Sequence, residues 1–203
     1  MQDKSLYNMN TVGVESVIST NKVLKNTYML LGMTLLFSAV TAGISMAMGL
    51  GHGAALVLML VGFGLLFVVN RTADSSKGLI AVFAFAGVMG ASIGPMLNYY
   101  LAMPGGPALV MQALGGTAVV FFGLSAYALT TRKDFSYMGG FLMVGLLVAV
   151  VAMIANIFLA IPALSLTISA AVVMIMSGLI LFDTSRIING GETNYIRATV
   201  ALY

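Results

Sequence analysis

The sequence predicts an all-α protein, a polytopic membrane helix bundle with six transmembrane helices and the start of a seventh. Three observations predict it. Hydrophobic residues make up 60% of the 203 positions and charged residues only 7%, with a mean hydropathy of +1.05. A soluble domain carries about 25% charged residues and needs them to cover its surface. Next, apolar stretches of about 17–25 residues, the length that crosses a bilayer core, recur along the chain. Finally, all nine Lys and Arg residues fall in alternate connections between those stretches.

Taken in order, a polar segment at 1–26 holds Asp3, Lys4, Glu15, Lys22 and Lys25. It has no early apolar core and no small-residue cleavage site, so it does not read as a cleaved signal peptide. Spans follow near 27–50, 54–70, 78–102, 107–131, 137–161 and 163–182. Turn chemistry separates them: Gly51-His52-Gly53, Ala73 to Lys77, Pro104 to Pro107, Arg132 to Ser136, and Pro162. Pro162 alone marks the fifth boundary.

After Gly190-Gly191, a helix stop, Thr193 or Asn194 can cap a new helix that turns apolar from Tyr195. The chain reaches Tyr203 after covering less than half of a bilayer core of about 30 Å. We expect a truncated seventh span there rather than a short interfacial helix.

Charge sets the expected orientation. Lys4, Lys22 and Lys25 precede the first span, and Arg71 and Lys77 follow the second. Arg132 and Lys133 follow the fourth, and Arg186 and Arg197 follow the sixth. The positive-inside rule then makes this side, with the N-terminus, cytoplasmic. A surplus of three positive charges does not argue for nucleic acid, and no such partner is expected. The lipid bilayer is.

Polar and small residues inside spans carry the remaining signal. Ala84, Gly87, Ala91, Gly94 and Asn98 recur at spacings of three or four in the third span, beside Pro95. This pattern reads as a helix-packing seam, or as a permeation path lined by Gly94, Pro95 and Asn98. Asn156 and Gln112 are expected to make interhelical hydrogen bonds.

Enzyme readings lack their residues. There is no Cys, and the one His, His52, lies in a connection. No acidic residue falls within a predicted span, no Lys does either, and neither a zinc-protease motif nor a nucleotide-binding glycine loop occurs. Met46, Met48 and His52 offer a weak soft-metal set, outweighed by the use of Met as core filler. No cofactor or metal is expected.

Asp183, within ILFDTSRI at 180–187, is the acid at the edge of a predicted span. It reads either as an interfacial carboxylate paired with Arg186 at i,i+3 or as a gate and pH sensor flanked by Arg71, Arg186 and Arg197. Both readings stand on the residues alone.

Several segments together resemble the Bax inhibitor-type (TMBIM) membrane proteins, most closely their bacterial YccA-like branch. They are NKVLKNTYMLL at 21–31, FAFAGVMGASIGPMLNYYL at 83–101, LGGTAVVFFGLSAYALTTRKDFSYMGGFLM at 114–143, ANIFL at 155–159 and LILFDTSRIINGGETNYIRATVALY at 179–203. The resemblance implies a seven-helix bundle with its last helix central. In the calcium-leak members an aspartate pair near the cytoplasmic side senses pH and an arginine latches it. By resemblance Asp183 matches the first aspartate and Arg71 the arginine, whereas the second aspartate would fall past Tyr203. The YccA-like branch implies a non-enzymatic inner-membrane protein that modulates the protease FtsH; the charge argument, rather than the resemblance, makes the polar N-terminal segment its expected contact. The alternative it leaves is a pH-sensitive calcium or cation leak.

Overall fold

Helix ends in this chain are set by backbone chemistry that the sequence displays. The computed structural model describes the backbone of residues 3–203 and the side chains of residues 20–203. Most of the polar N-terminal segment therefore lies outside the described side chains. Helix α1 runs Asp3–Ala47, α2 His52–Thr72, α3 Ser76–Leu101 and α4 Gly106–Thr131. A 3-10 turn at Ser136–Met138 leads into α5 Gly139–Leu159, followed by α6 Pro162–Ile188 and α7 Tyr195–Leu202. Six of these helices contain stretches of 21–28 residues long and apolar enough to cross a membrane. The chain is an all-α, multi-pass membrane protein.

Two boundaries differ from the expected ones. Helix α1 is already formed across the polar residues 20–26, N-terminal of the apolar span expected from 27. Helix α6 does not stop at 182 but runs on to Ile188, so Asp183 lies inside it. The helix continues because Thr184, Ser185 and Ile187 are buried along its last turns. It stops where Gly190 takes φ +75°, a left-handed conformation glycine adopts without strain. Gly191 N–H then donates to the Arg186 carbonyl at 2.8 Å and Gly190 N–H to Ile187, the bonds of a Schellman cap.

The chain divides into two compact units, residues 1–116 with 192–203, and residues 117–191. In the first, α3 packs against both α1 and α2, and α7 lies against all three. Lipid tails are as apolar as Leu, so close backbone approach rather than hydrophobic burial holds such helices together. The closest approach is at Gly90, where a Cβ would collide with the Ser38 carbonyl and the Thr41 hydroxyl of α1. One turn on, a Cβ at Gly94 would meet Ser45, and one at Gly87 would sit 2.7 Å from the Phe37 ring.

Polar bonds run along this seam. Pro95 has no N–H, which leaves the Ala91 carbonyl one turn earlier without its helical donor; the Ser45 hydroxyl donates to it at 2.7 Å. Ser38 donates to the Ala86 carbonyl at 2.6 Å, and Asn98 Nδ2 to the Met46 carbonyl at 3.1 Å. Pro95 stands inside α3 without ending it.

In the second unit α5 and α6 form a hairpin whose small residues admit large ones. A Cβ at Gly178 would lie 2.6 Å from Leu142, and one at Gly139 2.7 Å from the Phe182 ring. Ala160 takes φ 50° and Pro162 opens α6, which fixes the boundary the sequence marked only by that proline.

Replacing Gly90 by Ala is expected to force α1 and α3 apart and to lower unfolding stability in micelles by about 1–3 kcal/mol, an overpacking cost. Gly64 has open space around its Cβ position, so Gly64→Ala is expected to be neutral or stabilising by up to ~1 kcal/mol, the helix-propensity difference. Equal losses in the two variants would contradict this account of the seam.

Candidate functional site

The charged helix ends hold the four gate candidates Arg71, Asp183, Arg186 and Arg197, and each unit organises its own set. In the first unit the centre is Asn194. As N-cap of α7 its side-chain oxygen accepts from Ile196 N–H at 2.9 Å and Arg197 N–H at 3.2 Å. Its amide nitrogen donates to the Ala73 carbonyl at 3.0 Å and to Asp74 Oδ1 at 2.8 Å. One side chain thus starts α7 and ties it to the turn between α2 and α3.

Arg197 completes the clasp. Its guanidinium meets Asp74 Oδ2 at 2.6 Å, with the two side chains 40% and 72% exposed. At that exposure the pair contributes ~0–1 kcal/mol. Glu192 Oε1 accepts the Asn194 N–H at 2.9 Å. Beneath the polar layer Ile196 enters a cluster with Leu30, Val69, Ala73, Val82 and Phe85. Gly78 makes room for it, since a Cβ there would meet Thr72 O at 2.6 Å and Ile196 Cδ1 at 3.0 Å. Further along, Thr199 donates to the Thr27 carbonyl, and the Tyr203 hydroxyl pairs with Ser38 at 2.5 Å.

In the second unit Ser185 does the joining. Its hydroxyl accepts the Phe135 N–H at 2.9 Å and donates to the Lys133 carbonyl at 3.1 Å, fastening the loop after α4 to α6. Asp183 is half-buried two residues earlier, about 7–8 Å inside the end of α6 at the helical rise. The Arg186 guanidinium stacks over the Phe182 ring at 5.6 Å, a cation–π contact, and reaches the Gly191 carbonyl at 3.5 Å. In the loop, Asp134 accepts hydrogen bonds from Ser136, through its hydroxyl first and then its N–H, which hold the carboxyl below its ordinary range.

Residues 20–203 match the family described as "Inhibitor of apoptosis-promoting Bax1". The chain belongs to the Bax inhibitor family. Among its relatives, a protein of Escherichia coli K12 named "Modulator of FtsH protease YccA" is 56% identical over 93% of this chain and 85% of its own length. An uncharacterized membrane protein of Vibrio cholerae is 51% identical over 95% of this chain and 87% of its own length. An uncharacterized protein of Pseudomonas aeruginosa is 43% identical over 100% of this chain and 90% of its own length.

Within this Bax inhibitor-family chain the expected site residues take distinct places. Asp183 and Arg186 share α6, while Arg71 and Arg197 belong to the other unit. Arg71 is exposed at the end of α2. Arg197 is engaged by Asp74, a partner that sequence reading passed over; the acid sits in a turn 123 positions away, and only the docking of α7 joins them.

Gly87, Gly94, Pro95 and Asn98 are on the α1–α3 seam, and Gly94 and Pro95 are buried. Ala84, expected there, is exposed instead, and Gly90, unnamed in the pattern, marks the tightest point. The three-residue step from Gly87 was the available signal.

Asn156 binds within its own hairpin: Nδ2 donates to Ser165 Oγ at 2.6 Å and Oδ1 accepts the Ile161 N–H at 3.2 Å. It borders a cavity of about 530 Å³ with Ser165, Ser169 and Met153. Gln112 corrects the expectation of an interhelical bond. It is exposed and makes none among the described residues, a turn and a half from the start of α4 where a long polar side chain reaches the interface.

Asn194→Ala removes a cap and both ties to the turn, and is expected to destabilise the docked α7 by about 0.5–2 kcal/mol. Hydrogen exchange at the Ile196 and Arg197 amides should quicken, whereas Asp74→Asn should change it less.

For Asp134 the folded pKa is depressed, so its stabilising effect on the turn is present above the unfolded value and lost as pH falls through the folded one. Protection of the Ser136 amide, taken relative to its intrinsic exchange rate at each pH, should therefore fall only below the ordinary aspartate range. A fall in protection at or above that range would contradict the Ser136 contacts.

Proposed function

We propose that this chain is a non-enzymatic inner-membrane modulator of the membrane protease FtsH, with its N-terminus cytoplasmic. The observation that carries this reading is 56% identity over 93% of the chain to a protein named as a modulator of that protease. Similarity of that extent supports a shared arrangement of spans.

Orientation is argued from charge, because the Lys and Arg residues gather on alternate connections together with the N-terminal segment. That segment then lies on the side where a membrane-anchored ATPase holds its proteolytic chamber, and we assign it the contact. Helix α1 runs without a break from Asp3 to Ala47, so movement at the contact would pass along the helix into the α1–α3 seam.

Expression of the chain is expected to slow degradation of an FtsH substrate several-fold in a strain lacking its own modulator, read as substrate half-life. Deleting residues 1–20 should abolish both the effect and co-purification with FtsH. An unchanged half-life with the full chain would reject the modulator reading; retention of both by the deletion would reject only the contact. Proteoliposomes of the same preparation separate the calcium-leak alternative. They are expected to show no acid-dependent calcium flux, with or without Asp183→Asn.

A further inference from the structure

The acids and bases at the charged end of the first unit are unequally used. Asp74 has both carboxylate oxygens taken by Asn194 and Arg197, and Glu192 accepts the Asn194 N–H. Lys22 and Lys25 on α1, Arg71 at the end of α2 and Lys77 at the start of α3 are all exposed. Among the described residues none of these four side chains forms an ion pair or a hydrogen bond.

Packing brings the four to one level. Thr199 of α7 bonds the Thr27 carbonyl, which sets the end of α1 that carries Lys22 and Lys25 beside α7. Ala73 and Ile196 share one cluster, and Gly78 abuts Ile196, so Arg71 and Lys77 flank the same docked turn. Below this level the helices are apolar and of membrane-spanning length, which places the cations at the depth of lipid headgroups.

We propose that Lys22, Lys25, Arg71 and Lys77 form a binding rim for the phosphodiester headgroup of anionic phospholipids in the leaflet that this end faces. The chemistry is charge complementarity at close range. Cations carried by three helix ends meet a monoanionic phosphate that can shed part of its water, and among the described acids at this end Asp74 and Glu192 are engaged with the start of α7. General retention of positive charge on one side of a membrane would spread any lipid preference over all basic connections. This rim concentrates it in one unit, whereas Arg132 and Lys133 belong to the other.

The test uses the full chain reconstituted in phosphatidylcholine vesicles with a trace of spin-labelled phosphatidylglycerol or spin-labelled phosphatidylcholine. The protein-restricted fraction of each label is read by electron spin resonance. The anionic label is expected to be preferred by roughly threefold or more. The preference should fall toward unity in about 1 M NaCl, where screening shortens to about 3 Å. The variant K22Q/K25Q/R71Q/K77Q should lose it, and R132N/K133Q should keep it.

Equal restriction of the two labels by the unmodified chain overturns the proposal. So does a preference indifferent to salt, or one lost equally in R132N/K133Q. If the fourfold variant does not fold, the salt series on the unmodified chain with R71Q and K77Q singly decides the matter, a preference unmoved in both singles counting against the rim.

Discussion

A carbonyl oxygen freed inside a bilayer has no water to turn to, and one such oxygen governs the first unit. Pro95 cannot donate to Ala91, and leaving that carbonyl unsatisfied in hydrocarbon costs several kcal/mol. Ser45 of α1 answers it at 2.7 Å. A hydroxyl on a one-carbon stem reaches that far only if the two helix backbones nearly touch, and they do so because Gly90 and Gly94 have no Cβ to hold them apart. Proline, serine and the two glycines form one device. The Ser38–Ala86 and Asn98–Met46 bonds extend it toward either end of α1.

With α1 and α3 fixed, their charged ends and the α2–α3 turn present a recess that α7 fills. Helix α7 spans Tyr195–Leu202. It owes its form to its cap and to Ile196 in the cluster with Leu30 and Val82. Asn194 caps the helix and reaches the turn with the same amide, so folding of α7 and its docking are one event. The ion pair of Arg197 with Asp74 orients the clasp more than it stabilises it, since both side chains face solvent.

The second unit uses the same kinds of contact for a different end. Glycines at 139 and 178 let Phe182 and Leu142 interleave across the hairpin, and Asn156 closes its turn. Ser185 fastens the loop at Lys133 and Phe135 to α6 just after Asp183. The half-buried aspartate therefore sits beside a fixed point of the backbone, within a helix that continues past it to a well-formed cap.

Composition and the spacing of apolar runs determined the class, the six spans and the side on which positive charge gathers, because the bilayer imposes length and polarity on each helix separately. Turn residues determined most boundaries for the same local reason: Gly190 and Asn194 act through their own backbone and near neighbours. The α6 end escaped this reading because Asp183 looked like a terminus, while burial of Thr184, Ser185 and Ile187 kept the helix going. Which groups meet was decided by tertiary structure alone. Ala84 and Gly90 are both small in sequence, yet Ala84 is exposed and Gly90 is buried against α1. Asp74 gave no sign of Arg197, because a pair 123 positions apart exists only once three helix ends share one level.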